Sequence, residues 1–481
     1  MRVLGLLYYL NKHKITPYWL SFCIIIIHTI GVNSDYSHLQ GFIAGIGAVI
    51  VVNIIVILQR SKKERLPILE WVFIQYYVFW LFPVFFEGVG TSIISFSQLQ
   101  RSGFITISLI SVILFMLFVL LGYYFTLKYF HSFKYISSKK IKKIKHHMKP
   151  VPTIRLIVYA VMTLIISFNI LLLELEITKY FYVLFSFFSF LIAQLLFIFE
   201  INTFKSNRLL KGSYKIFIVS CILVGLASSR LYYVLLPLVI LALTFYTKNK
   251  DIKIRYVIII ILLLVFLNPV KIIYRDIVGY RSDTFAETTI SEIISAWNEA
   301  LVEVWGDYNE SVQRNIKTVI YRINELSTIA LTFLEVPHSV EYEYGKTWVP
   351  IFYNFIPRLL WEDKPIIKEV TNDYFNITLG VQSYYHAKRT TLVVPTIADG
   401  YFNFGWFGII MSGILSGILY SIVQQIYTPY HRFRFVSAFY ILANIRSTSM
   451  LASLYGGIVQ SLFVVWLVTK LLELSLIRKY H

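Results

Sequence analysis

The chain has 481 residues, 57% hydrophobic and only 15% charged, with a mean hydropathy of +0.66 and a formal charge of +19. Such usage lies outside that of soluble globular domains and reads as an integral membrane protein, so the positive charge speaks for orientation and anionic lipid headgroups rather than for nucleic acid. The two cysteines, Cys23 and Cys221, sit inside apolar runs and give no sign of a disulfide framework, a zinc-ligand cluster or a thiol nucleophile.

Crossing the hydrocarbon core takes roughly 20 apolar residues. Runs of that kind predict an all-α membrane bundle with helices near 15–32, 40–58, 68–86, 104–127, 154–174, 180–200, 214–228, 231–247, 255–273, 399–424, 435–453 and 455–474. The first run is followed by a second and predicts a spanning helix, not a cleaved signal. Ser228, Ser229 and Arg230 interrupt a longer apolar stretch and predict a tight turn between two short helices, while Tyr455, Gly456 and Gly457 mark the break between the last two.

Charge tests this count independently. With the N-terminus cytoplasmic, the loops 60–65, 128–149, 205–215, 248–255 and 432–434 and the C-terminal tail all fall inside, and these are the Lys/Arg-rich ones. The expectation is twelve helices in a bacterial plasma membrane, both termini cytoplasmic, divided as 1–273 (nine helices), 274–398 (an outward insertion) and 399–481 (three helices).

The insertion differs from the rest: Arg275 to Asp399 holds 17 of the chain's 26 acidic residues but 11 of its 45 basic ones. Thr289-Ile290-Ser291-Glu292 has the pattern of a capping box, followed by Ile293, Ile294, Trp297, Leu301 and Val304 at helical spacing. A second amphipathic helix is expected over 311–335, and both are expected to lie over the bundle mouth or in the interface. The stretch 337–395 reads as irregular, the mark of a lid or substrate loop.

Polar chemistry concentrates between Tyr344 and Gly405. Pro350, Pro357 and Pro365 forbid continuous helix there, and Trp361 offers an aromatic face beside Arg358 and Lys364, the platform for a sugar ring or a membrane anchor, so that an amphipathic interfacial turn could use the same residues. Arg230 either snorkels to water or meets an anion. Arg281 can bind phosphate oxygens in a bidentate fork or pair with nearby carboxylates. His386, Lys388 and Arg389 precede the tenth helix. Asp399 at its mouth reads either as a helix cap or as a general base. Tyr401 and Asn403 can hydrogen-bond a ligand or a neighbouring helix. Gly405, Gly408, Gly413 and Gly417 favour close packing, and Arg446 is an intramembrane ion. The sequence has no Walker loop, dinucleotide fingerprint, HExxH or Asp-x-Asp pair, and Glu341-Tyr342-Glu343 is its nearest acidic pair.

Taken together, the arginine after the SerSer turn, YGKTW, NFIPRLLWEDKP and GYFNFGWFG on a many-helix scaffold with one large outward loop resemble the Wzy-type O-antigen and capsule repeat-unit polymerases. That resemblance implies a GT-C-like glycosyltransferase that joins undecaprenyl-diphosphate-linked oligosaccharides on the outer side of the membrane, with no cofactor, metal or nucleotide sugar and with a chain-length regulator and membrane lipids as partners. On it, Arg230, Arg281 and Arg358, then Lys364 and Arg389, neutralise the departing diphosphate. Asp399 or His386 is the base, and Tyr344, Trp361 and Tyr401 are sugar platforms. A ligase of the same architecture, or a lipid-linked-oligosaccharide flippase, is the alternative.

Overall fold

A computed structural model describes residues 16–60, 68–91, 93–129, 267, 270, 271, 273, 274, 277, 290–306, 324–356, 361–389, 392–427, 445, 446 and 449–463. The described residues are helical with no strand, as the apolar runs require. Four helices are long and apolar enough to cross a membrane, His38–Ile57, Ile68–Phe85, Phe104–Tyr129 and Thr396–Gln425. The spans expected between 154 and 273 lie outside the described residues, apart from isolated helical positions from 267 onward.

The chain forms two compact units. The first comprises Met1–Ile141, Ile320–Pro429 and Ile441–Gln460. Within it, α1 (Thr16–Ile30) and α2 (His38–Arg60) make an antiparallel hairpin. Gly41 and Gly45 let it close, since a Cβ on Gly41 would lie 2.4 Å from the His28 carbonyl oxygen. The next crossing starts as α3 (Ile68–Tyr76), widens into a π-turn (Tyr77–Leu81) and tightens into a 3₁₀ turn (Phe82–Phe85). Pro83 causes part of this: it has no N–H for the Phe79 carbonyl one turn back, and that carbonyl accepts from Glu325 N instead, at 3.2 Å.

After the short α4 (Phe96–Arg101), α5 (Phe104–Tyr129) is apolar on every side, as a crossing helix with neighbours and lipid around it should be. Three described helices separate it from the long α10 (Thr396–Tyr427) within this unit: α7 (Leu326–Glu335), α8 (Tyr374–Thr378) and α9 (Tyr384–Arg389). A Cβ on Gly413 would sit 3.1 Å from the Phe115 carbonyl oxygen, one on Gly417 2.1 Å from that of Val119, and one on Gly122 2.3 Å from that of Ile414. Numbering rises together in both helices, so α5 and α10 pack in parallel, with glycines bringing the backbones into contact.

The helix before them, α7 (Leu326–Glu335), corrects one expectation. It is not a helix with one face left free: Leu326, Ser327, Ile329, Ala330, Leu331, Thr332 and Phe333 are all buried. Residues 311–323 of the expected helix lie outside the described residues, and Asn324 and Glu325 are not helical. The stretch 337–395 also carries more order than expected, with a 3₁₀ turn at Val349–Phe352 and a π-turn at Glu369–Asp373 besides α8 and α9.

The end of the chain corrects another. Ile445, Arg446, Ser449 and Met450 are outside any helix, and α11 (Leu451–Phe463) runs straight through Tyr455, Gly456 and Gly457, where a break was expected. The physical reason is a cap supplied from elsewhere: the free N–H of Leu451 donates to the Asp399 carboxylate at 2.9 Å, and Leu454 N then bonds the Met450 carbonyl. Gly456 fits because Asn354 lies against it, its side chain donating to the Ala452 carbonyl at 3.1 Å.

The second unit comprises Lys142–Val319, Tyr430–Tyr440 and Ser461–His481. Its described helix, α6 (Ile290–Gly306), begins where the capping pattern places it. Ala296, Trp297, Ala300 and Val304 are buried with Val270 and Tyr274, and Trp297 stacks on Tyr274 at 4.7 Å. Ile294, counted on the apolar face, is exposed.

Candidate functional site

The long α10 is two helices. Phe404 (φ −142°, ψ 20°) and Gly405 (φ 61°, ψ −142°) leave helical geometry, and beyond them the chain turns back on itself. A Cβ on Gly408 would lie 1.8 Å from the Gly400 carbonyl oxygen, and one on Gly400 2.7 Å from Ser412 Oγ. Eight residues of straight helix would separate such atoms by about 12 Å. The limb from Thr396 to Asn403 is thus a short helix folded back against the limb that starts at Trp406, and the second limb alone, about 30 Å to Gln425, is long enough to cross a membrane.

The reversal exposes backbone that helix would have satisfied, and the segment after α7 takes it up. Glu343 N donates to the Phe402 carbonyl at 3.0 Å and Tyr344 N to that of Asn403 at 3.1 Å, while Gly345 N donates to Asn403 Oδ1 at 2.9 Å. Irregular backbone beside a membrane helix is tolerated only when its polar groups are paired in this way. Gly405 has the backbone angles that need glycine, and a Cβ there would also press on the Tyr342 hydroxyl at 3.0 Å. Replacing Gly405 by Ala is expected to cost about 1–3 kcal/mol. In detergent, Gly405→Ala should melt several degrees below wild type, whereas Gly306→Ala, whose Cβ meets nothing within 4 Å, should not.

Asp399 is the centre of the knot. It is fully buried, and each carboxylate oxygen receives two donors. Oδ1 accepts from Thr347 Oγ1 at 2.5 Å and Asn403 Nδ2 at 3.1 Å, and Oδ2 accepts from Trp348 Nε1 at 3.2 Å and Leu451 N at 2.9 Å. Asn403 Nδ2 also donates to Thr347 Oγ1 at 2.6 Å, and Thr396 Oγ1 to the Ser449 carbonyl at 2.6 Å. One carboxylate therefore joins the YGKTW segment, the folded-back limb and the start of α11.

Around the knot stand aromatic rings. Tyr344 has a positive φ of 46°, rare for a bulky residue, and is 75% exposed. Its ring lies 6.4 Å from those of Tyr342 and Phe404. Tyr401, by contrast, is buried, its ring 4.2 Å from that of Phe333 and 6.1 Å from that of Tyr342. Beside Tyr344, Lys346 Nζ donates to Tyr374 Oη at 2.6 Å, and that hydroxyl donates to Glu343 Oε1 at 2.6 Å. The bond to Tyr374 is the main reason the Lys346 ammonium is held above the ordinary lysine range.

Lys364 is also built in. It is 6% exposed, and its ammonium donates to the Asn354 and Ile356 carbonyls at 2.8 and 2.9 Å, closing the proline-rich turn on itself. Trp361, at the tip of that turn, is 38% exposed with Tyr353 edge-on at 5.5 Å. Farther along, Lys368 pairs with Asp373 at 3.1 Å and bonds the Ala387 carbonyl of α9.

Of the residues singled out in the sequence, Asp399, Tyr344 and Tyr401 fall at the knot. Lys364 and Trp361 are tied to it through Asn354 and α11. His386 and Arg389 lie on α9 with side chains outside the described residues, as do Arg230, Arg281 and Arg358 altogether. Thr347 and Trp348 were the residues missed; their signal was a hydroxyl and an indole between Gly345 and Pro350. The described residues hold no group of three or more His, Cys, Asp or Glu set to bind a metal ion.

These features define a helical membrane protein built on a broken crossing helix that a polar insertion locks in place. The chain belongs to the family described as Domain of unknown function (DUF8712), whose pattern matches residues 133–433. No curated protein and no solved structure matches the chain.

Proposed function

We propose that this protein is a GT-C-like glycosyltransferase of the inner membrane that polymerises undecaprenyl-diphosphate-linked oligosaccharide repeat units into O-antigen or capsular polysaccharide. The observation that carries the reading is the docking of the YGKTW segment onto the reversal of α10. It makes the outward insertion a fixed wall of the bundle, and a fixed wall can preorganise charge for a leaving group. Of the expected twelve-helix topology, the parallel packing of α5 and α10 supports the parity of the spans between them. Parallel crossings need an odd number of spans between them, and the sequence supplies five.

In this mechanism Arg230, Arg281 and Arg358, and then Arg389, are the cations assigned to neutralise the diphosphate as it leaves. The Lys364 ammonium, already held by two carbonyls, instead fixes the turn that carries Arg358. Asp399 has no open acceptor position and serves as a positioning residue, which leaves His386 as the base that takes the acceptor hydroxyl proton. Tyr344, held out by a strained backbone, is the sugar platform.

Incubating the purified protein with lipid-linked repeat units should yield a ladder of longer glycans without nucleotide or added metal. Arg358→Ala and Arg230→Ala should each abolish the ladder while accumulation in the membrane stays normal. Unchanged products from both variants would remove the arginines from the mechanism. A broken helix is also the usual device of transporters, so a flippase is the second reading; it predicts movement of lipid-linked oligosaccharide across vesicles with no change in glycan length.

A further inference from the structure

The proline-rich turn presents a face that nothing within the described residues covers. Val349 is 53% exposed, Phe352 78%, Phe355 50% and Trp361 38%. The turn has no freedom to fold these rings inward. Pro350 opens its 3₁₀ turn, Asn354 is bonded to the Ala452 carbonyl of α11, Lys364 bonds two carbonyls of the turn, and Thr347 and Trp348 are tied to Asp399. We propose that this face is seated in the lipid interface, so that the polar insertion is a monotopic element resting in the bilayer rather than a loop held in water.

Two things point to lipid as the occupant. The turn is bonded to the reversal of α10 and to the first turn of α11, and the same reversal exposes two more large rings, Trp406 (42%) and Phe407 (62%). The face also has a charged rim, with Glu362 and Asp363 exposed directly after Trp361. Apolar rings flanked by charge and a tryptophan suit the boundary between acyl chains and headgroups, where rings are buried while carboxylates stay wet. This inference is independent of the catalytic reading.

The test uses the full chain with Cys23 and Cys221 replaced by Ser and a single NBD-labelled cysteine at Phe352→Cys or, separately, Phe355→Cys, reconstituted in phosphatidylethanolamine/phosphatidylglycerol vesicles. Blue-shifted NBD emission, quenching several-fold stronger by doxyl-labelled lipid than by aqueous iodide, is the expected result at either position. Water-like emission with iodide quenching at both would overturn the proposal. So would shielding from both quenchers, which would mean that protein covers the face.

Discussion

Replacing Asp399 by Ala is expected to unfold the part of the first unit around the knot, at a cost of about 3–5 kcal/mol, because it strands three donors in the protein interior. Thr347 Oγ1, Trp348 Nε1 and Leu451 N would lose their acceptor at once, while Asn403 Nδ2 keeps Thr347 Oγ1 and the backbone carbonyl of residue 399. Asn at this position should help only in part: its one oxygen can keep Thr347 and Asn403, but its amide group then faces the donors of Trp348 and Leu451. The measurement is thermal melting in detergent, with protease access to the 344–361 segment as a local readout. A group whose sole task is to accept a proton behaves differently. Were Asp399→Asn to melt like wild type and yet make no polymer, the positioning role would fall and Asp399 would return as the base.

The spanning helices were legible in the sequence because the bilayer reads only length and apolarity. The helices at His38–Arg60, Ile68–Tyr76 with its continuation, and Phe104–Tyr129 fall within a few residues of their expected ends. Gly408, Gly413 and Gly417 were legible as packing positions for the same reason, since close approach needs small residues. What was not legible is set by partners remote in sequence. Gly405 looked like its three neighbours, yet it turns the chain, because Glu343 and Tyr344 stand ready to receive the opened carbonyls. The start of α11 is capped by a carboxylate 52 residues earlier. The break before α7 has a similar origin, since Pro83 frees the carbonyl that holds Glu325. No periodicity within 311–335 records that.

Glu325 gives the second large expectation, a stability that falls as pH rises. It is buried where α7 begins, and burial pushes its carboxyl from the ordinary 4.5 up to about 8, only partly opposed by the hydrogen bond from Trp80 Nε1 at 3.4 Å. The sign follows from linkage. Below about pH 4.5 the carboxyl is protonated in both folded and unfolded chains, and its contribution is fully present. Between 4.5 and about 8 the unfolded chain has released the proton while the folded chain still holds it, so each rise in pH favours unfolding. Above about 8 the loss is complete, on the order of 5 kcal/mol if no other group compensates. Glu325→Gln keeps an oxygen for Trp80 and cannot titrate. Its melting temperature should therefore be flat over this window and should exceed that of wild type at pH 9, whereas wild type should lose stability steadily from pH 5 upward. Parallel melting curves for the two proteins across that range would show that Glu325 is already ionised in the folded chain, and the enclosed carboxyl would then need a cation that the described residues do not supply.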